Sequence, residues 1–264
     1  MSTQTLNQPG LGARSPQAGG QPNERRVRRD RTAATTAGIL YIAGTVAGVL
    51  SVVVGGPVRD ASNPLAAAAE HPGTAATSAL LVLVMGLSLA LVPVVLFPVL
   101  RRVSEVAAFG YLILRGAVET ACYVLIAIGL FALVPLYDIV AAGPGATSPA
   151  GERIGGFLAD APAANSALLL VFCAGAALFY SALYRSRIVP RWIASWGLAA
   201  IVLYVAADLL AMYSVIGADS AEQVAMFMPL ALQEMVLAVW MITRGFRPAA
   251  PGGIGAVTGR ESRV

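Results

Sequence analysis

The sequence contains no lysine and little charge of either sign. Only 12% of its 264 residues are charged, whereas about a quarter of the residues in an average soluble domain are. All 18 basic residues are arginines, a bias that, with the abundance of alanine and glycine, suggests a high-GC bacterial genome. The arginines stand in short clusters beside apolar blocks, without an aromatic-rich basic face. This pattern argues against nucleic acid as a partner.

Histidine and cysteine are too scarce for a metal centre or a disulfide framework. His71 is the only histidine, and Cys122 and Cys173 lie inside apolar blocks without a CxxC or CxH spacing. The sequence also has no HExxH, GxSxG or Walker motif and no GxGxxG motif at a helix start. We therefore expect no metal, no cofactor and no catalytic residue, and the sequence does not favour an enzyme.

What the sequence has instead is apolar residues, which make up 57% of the chain. They fall in blocks of about twenty residues, the length at which a helix crosses a hydrocarbon core of about 30 Å. Six blocks qualify as candidate spans, at about residues 33–54, 77–100, 106–134, 164–184, 192–214 and 224–243. We predict an all-α polytopic bundle of six transmembrane helices over residues 32–247, in a bacterial cytoplasmic membrane.

The two ends of the chain differ from this apolar domain. Residues 1–31 and 248–264 are rich in glycine, proline and arginine and have no apolar period, so we predict two disordered tails. Between the third and fourth spans, the stretch GERIGGFLADAP over residues 151–162 is compatible with a short interfacial helix and equally with a plain loop.

The arginines are distributed unequally between the two sides of the six predicted spans. Fifteen of the 18 fall on one side, only Arg59 and Arg153 fall on the other, and Arg115 lies within a span. Cytoplasmic flanks retain positive charge during membrane insertion. The distribution therefore predicts that both termini, and with them both tails, are cytoplasmic.

Ionisable residues within the spans are the candidate functional residues, because a charge at mid-helix costs about 2.5 to 3.5 kcal/mol on insertion scales. Arg115 and Glu119 lie four residues apart in the third span and therefore share a helix face. Glu234, in the sixth span, lies at a similar depth near the midplane. We predict an intramembrane polar cluster of these three residues, with Gln233 at its rim and Asp208 closer to water.

Three carboxyl groups face one guanidinium in this cluster if all are ionised. In a low dielectric, that excess favours a proton on at least one carboxyl, and Glu234 is the candidate because Glu119 has the nearer cation. Two interpretations stay open. The cluster is a proton or small-molecule site of a carrier or binding protein, or it is a structural ion pair that only orients helices.

Arginine and tryptophan residues next to the spans predict where the bundle meets the membrane surface. Amphipathic aromatic rings and arginines are enriched at the level of the lipid headgroups. We predict that the lipid bilayer is the main partner and that the interfacial anchors are Arg191, Trp192, Trp196, Trp240 and Arg244. The sequence identifies no protein partner.

Four stretches carry a resemblance to a known family. They are RTAATTAGILYIAGTVAG from residue 31, LRGAVE from 114, RSRIVPRWIASWGL from 185 and LALQEMVLAVWMITRGF from 230. Over about residues 31–247 the chain resembles a bacterial integral-membrane family catalogued as domain of unknown function 4386. The resemblance implies a multi-helix membrane protein and names no activity. The residues that match its pattern are Arg115, Glu119, Pro190, Arg191, Trp192, Glu234 and Trp240.

Overall fold

The computed structural model describes residues 20–141, 149–160, 162–217 and 220–247, and these residues form helices without strands. Six of the helical stretches are long and apolar enough to cross a membrane: Glu24–Arg59, Pro72–Leu100, Glu105–Val140, Asn165–Ser186, Arg191–Met212 and Ala221–Thr243. The predicted all-α, six-span architecture of a multi-pass membrane protein is therefore confirmed. Of the predicted tails, residues 1–19 and 248–264 lie outside the described residues.

The described chain contains nine α-helices and one π-helical segment. They are α1 (Gly20–Arg59), α2 (Pro64–Glu70), α3 (Pro72–Leu100), α4 (Glu105–Tyr111), the π-helical segment (Leu112–Glu119), α5 (Thr120–Ala141), α6 (Pro149–Asp160), α7 (Pro162–Ser186), α8 (Arg191–Met212) and α9 (Ala221–Thr243). Helix α4, the π-helical segment and α5 follow one another without a break and together form the third span.

The six spans form a closed ring in the order in which they follow along the chain. Helix α1 packs against α3, α3 against α5, the π-helical segment against α7, α7 against α8, and α8 against α9, which returns to α1. Side chains that point inward from different spans therefore reach one central region. We call the end of the ring that holds Arg31, Arg102, Arg187 and Arg244 the arginine-rich end.

Glycines allow α1 and α3 to approach closely. A Cβ atom on Gly44 would lie 2.8 Å from the Leu89 side chain, and one on Gly48 would lie 2.6 Å from the Met85 sulfur. Small residues at such positions bring helix backbones together in a membrane, where packing rather than apolar burial drives association. The GTVAG stretch thus serves packing within this bundle.

Helix α1 begins at Gly20, so residues 20–31 are helical where composition predicts a disordered tail. The guanidinium of Arg31 donates to the backbone oxygens of Ile242 at 3.0 Å and Thr243 at 2.9 Å, and Asp30 forms an ion pair with Arg102. These contacts tie the start of α1 to the ends of α9 and α3. A helix that continues outward from a span also avoids the cost of a new nucleus.

Two short helices, α2 and α6, cover the end of the ring opposite the arginine-rich end. Helix α6 packs against α1, α2 and α5. A Cβ atom on Gly155 would lie 2.9 Å from the Leu65 backbone nitrogen, and one on Gly129 would lie 3.0 Å from the Leu158 oxygen. The part of the GERIGGFLADAP stretch up to Asp160 is helix, and its close contacts to α2 and α5 lie at Gly155 and at Gly129 of α5. Helix α2 was not predicted, although Asn63 caps it by accepting a hydrogen bond from the Ala66 nitrogen.

The buried side chains divide into two clusters along the bundle axis. The cluster nearer the arginine-rich end contains large aromatic side chains, including Tyr41, Tyr111 and Phe179. The cluster nearer the opposite end is built from smaller aliphatic residues, which include Leu65, Ala79, Val82, Leu130 and Leu133. Many apolar side chains of the spans point outward instead, as expected of a surface that faces lipid.

Candidate functional site

The π-helical segment in the third span carries both central charged residues. Arg115 and Glu119 belong to this segment, and both side chains point inward, with 2% and 1% of their surface exposed. A π-helical turn widens the backbone ladder to a spacing of five residues and often occurs at functional sites. Here it accompanies a hydrogen bond of 3.4 Å from the Thr120 hydroxyl to the Arg115 oxygen.

Two carboxyl groups flank the Arg115 guanidinium. Nη1 lies 3.7 Å from Oε2 of Glu119, and Nη2 lies 3.7 Å from Oε1 of Glu234, which belongs to α9. Charge-assisted hydrogen bonds between such groups normally measure about 2.7 to 2.9 Å. The guanidinium therefore attracts each carboxyl group electrostatically without a direct hydrogen bond to either.

Aromatic rings from neighbouring spans surround the same guanidinium. The Cζ atom of Arg115 lies 4.7 Å from the Phe172 ring centroid on α7 and 5.4 Å from that of Tyr41 on α1. Both distances are within the range of a cation–π interaction. The Tyr41 and Tyr111 hydroxyls hydrogen-bond at 2.9 Å, and the Tyr123 hydroxyl donates to Oε1 of Glu119 at 3.3 Å. Four spans thus contribute side chains to one buried site.

Several polar atoms of this region have no hydrogen-bond partner among the described residues. They are Nε of Arg115, Oε2 of Glu119, Oε1 of Glu234, Oε1 of Gln233 and the hydroxyl of Tyr180. Buried polar groups in proteins are normally satisfied by protein atoms or by ordered water. The site therefore has unused donors and acceptors that could bind water, a proton or a small polar molecule.

The other two residues of the predicted cluster lie in different surroundings. Gln233 is completely buried, and its Nε2 donates to the Ile193 oxygen at 3.0 Å, which links α9 to α8. Asp208 accepts a hydrogen bond of 3.2 Å from the Ser166 hydroxyl and forms no ion pair with Arg115. The central site therefore brings two carboxyl groups to Arg115 rather than three.

The predicted interfacial anchors lie together at the arginine-rich end. Trp192 is 54% exposed, and its ring stacks on that of Trp196 with centroids 6.3 Å apart. The Arg191 guanidinium lies over the Tyr184 ring at 5.1 Å. The guanidinium over Trp240 belongs to Arg247, at 5.5 Å. Arg244 is exposed where α9 ends.

The aromatic part of the site could not be predicted from the sequence. Tyr41, Phe172 and Tyr123 occupy apolar spans, in which an inward aromatic ring looks the same as a lipid-facing one until the spans are arranged. The quoted sequence stretches do meet in space. Arg31 contacts the end of α9, Arg115 contacts Glu234, and Gln233 contacts the start of α8.

The comparisons with known proteins bear on the architecture. Residues 36–245 match the model of a family described as Domain of unknown function (DUF4386). The chain belongs to this family. Neither the curated proteins nor the solved structures include a match. Membership in DUF4386 agrees with the resemblance of the sequence stretches and assigns no activity, so the function of this DUF4386 chain has to be argued from its site.

Within the part of the DUF4386 chain that the structure describes, no group of three or more histidine, cysteine or acidic residues is arranged to hold a metal ion. His71 caps the junction between α2 and α3 through its backbone nitrogen, which donates to the Ala67 oxygen. Cys173 is buried and Cys122 half-buried, both as free thiols. The Arg115 site is thus the polar constellation to which chemistry can be assigned.

Proposed function

We propose that this protein is a small-solute or proton-linked carrier or binding protein whose central site consists of Arg115, Glu119 and Glu234. The observation that carries the proposal is the set of unpartnered polar atoms around the guanidinium. A buried ion pair is stable when close geometry and further hydrogen bonds offset the loss of hydration. In this site the charged groups of each ion pair lie 3.7 Å apart. The additional hydrogen bonds would therefore come from a bound ligand.

The charges of the site favour a proton as one of its ligands. Two carboxylates against one guanidinium leave one net negative charge, and a proton is the smallest cation that removes it. Glu119 accepts a hydrogen bond from Tyr123, which favours its ionised form, whereas Glu234 has only the long contact to Arg115. Glu234 is therefore the carboxyl group to which we assign the proton, and a small polar solute would fill the remaining donors and acceptors.

The same proposal includes a location and an orientation. Arg101, Arg187 and Arg244 are exposed at the arginine-rich end, whereas Arg59 ends α1 at the opposite end, where Arg153 belongs to α6. We assign the arginine-rich end to the cytoplasm of a bacterium, with both termini inside. Three arginines on which the orientation also rests, Arg14, Arg260 and Arg263, lie outside the described residues.

A second candidate function is that of a structural or accessory membrane protein. The observation that favours it is the position of Arg115, which contacts side chains of α1, α7 and α9 from the third span. Such a residue can fix the arrangement of four spans without binding anything. The two functions differ in whether the polar atoms around the guanidinium bind a ligand.

Native mass spectrometry of the protein in lipid nanodiscs tests the proposal. The wild type is compared with Glu234→Gln at two pH values. Glu222→Gln is the matched control, because Glu222 is an exposed glutamate on the same helix. We expect a small-molecule adduct in the wild type that depends on pH, disappears in Glu234→Gln and persists in Glu222→Gln.

The adduct mass would also give the chemical class of the solute. If wild type and Glu234→Gln are equally stable, bind no small molecule and respond identically to pH, the carrier or binding function is wrong. The structural function would then be the better account, and the search would turn to protein partners.

A further inference from the structure

The part of α1 that extends beyond the membrane carries four arginines on one face. At 3.6 residues per turn, Arg25, Arg26, Arg28 and Arg29 fall within about 160° of the helix circumference. All four are exposed, and none forms an ion pair with another described residue. We call these four residues the arginine face of α1.

The arginine face points away from the bundle. The two residues that follow it, Asp30 and Arg31, contact Arg102 and the last carbonyl oxygens of α9. At 3.6 residues per turn, Asp30 and Arg31 together point to the side of the helix opposite the arginine face. Contacts to the bundle therefore fix the rotation of α1, and the four guanidinium groups remain directed outward without an ion pair to any acidic group among the described residues.

The height of the arginine face above the hydrocarbon matches the headgroup layer. Measured along the helix axis from Ala33, where the apolar block begins, Arg29 lies about 6 Å away and Arg25 about 12 Å away. The headgroup region is about 5 to 7 Å thick on each side of a bilayer. Long arginine side chains can also reach back toward the membrane. The arginines nearer the membrane thus lie among the headgroups. Those farther out lie within one Debye length, about 8 Å, of the headgroup charges.

We propose that the arginine face of α1 binds the anionic headgroups of phospholipids in the adjacent leaflet. The proposal is independent of the function assigned to the central site. A guanidinium group binds phosphate oxygens in a bidentate manner, and basic residues next to a span concentrate anionic lipid. A soluble acidic macromolecule fits less well, because half of the face lies at the depth where headgroups compete for it.

The test counts anionic lipids that remain bound to the full-length protein. The protein is released for native mass spectrometry from nanodiscs of phosphatidylcholine with a minor fraction of phosphatidylglycerol. The test variant is Arg28→Gln with Arg29→Gln. The matched control is Arg185→Gln with Arg187→Gln, which removes the same charge from two exposed arginines at the same end of the bundle. Glutamine preserves helix propensity, so α1 should remain helical.

We expect phosphatidylglycerol retention to fall about tenfold in the test variant and much less in the control. Arg28→Lys with Arg29→Lys should retain most of the binding, because the charge remains. An equal loss in the test and control variants would overturn the proposal in favour of a general electrostatic effect of that end. A wild type that retains no phosphatidylglycerol above the level of phosphatidylcholine would overturn it as well, and would leave an acidic macromolecule as the partner of this face.

Discussion

The two halves of the bundle core are built differently. Near the arginine-rich end, tyrosine, phenylalanine and one arginine fill the space between the spans, and several polar atoms lack partners. Near the opposite end, alanine, valine and leucine pack between α1, α3, α5 and the two short helices α2 and α6. Within this aliphatic cluster the Ser78 hydroxyl donates a hydrogen bond of 3.0 Å to the Ser51 oxygen. Asp208, near the same end of α8, is bonded through one carboxyl oxygen to Ser166, and its other oxygen has no partner among the described residues.

This difference indicates that the two halves have separate roles. The spans α1, α3 and α5 are packed largely with small aliphatic residues at this end, together with the short helices α2 and α6. Packing these three spans against each other therefore does not require the buried charges, and burying charges is costly in a membrane. Their presence near the arginine-rich end calls for a role besides packing. Variants in each half can show whether the two roles are separate.

The largest effect is expected from Arg115→Ala. This change leaves Glu119 and Glu234 buried without their cation, and breaking a buried ion pair in this way costs about 3 to 5 kcal/mol. The folded yield and the midpoint of thermal unfolding in nanodiscs should both fall sharply. Arg115→Met combined with Glu119→Leu should recover most of the stability, because Glu234 can then remain protonated, but it should not recover solute binding.

Full recovery of both stability and solute binding in that double variant would show that neither residue contributes to a site. Failure of the double variant to fold would show that apolar side chains cannot replace the ion pair, contrary to the structural account.

A cavity in the opposite half should act on stability alone. Leu133 is fully buried in the aliphatic cluster, and Leu133→Ala should lower the free energy of unfolding by about 2 to 3 kcal/mol through lost packing. Thermal unfolding measures this loss, and native mass spectrometry should show unchanged solute binding. A variant that keeps its stability but loses the solute would contradict the division of the core into two roles.

A steric change between α1 and α9 should have a smaller effect. A Cβ atom on Gly38 would lie 2.6 Å from the backbone oxygen of Ala238, so Gly38→Ala should separate the two helices and cost about 1 to 3 kcal/mol. Gly73→Ala is the control, because a Cβ atom there meets no atom within 4 Å. If both variants unfold at the same temperature, the close approach of α1 and α9 is wrong.

The smallest effect is expected at the rim of the arginine-rich end. Arg31→Gln removes the two hydrogen bonds to the terminal oxygens of α9, and such a loss typically costs about 1 kcal/mol. Hydrogen exchange should then increase in the last turn of α9 and at residues 20–31. Increased exchange throughout the bundle would mean that Arg31 stabilises more of the structure than the last turn of α9 and residues 20–31.

Much of the fold and the charged centre of the site could be predicted from the sequence. Span length and hydropathy give the six helices, and the spacing of Arg115 and Glu119 places both on one face of the third span. Their meeting with Glu234 follows from its similar depth. These inferences succeed because a bilayer fixes helix length and makes a buried charge conspicuous.

Other features depend on tertiary structure and carry no local signal. The π-helical segment, the aromatic rings around Arg115 and the burial of Gln233 all arise from how the ring closes. The partner of Asp208 carried no sequence signal either, since this residue accepts a hydrogen bond from Ser166 on α7. The helical start of α1 could not be predicted either, because the contacts that hold it are to Arg102 after α3 and to the end of α9.

The most direct test of the account is whether the central site holds a proton. Infrared spectroscopy of the protein in nanodiscs detects the carbonyl stretch of a protonated carboxylic acid, and Asp208→Asn controls for the buried acid that lies away from Arg115. We predict that this band is present at neutral pH in the wild type and in Asp208→Asn, and absent in Glu234→Gln. A wild type without the band, or a Glu234→Gln variant that retains all of it, would contradict the assignment of a protonated carboxyl beside Arg115.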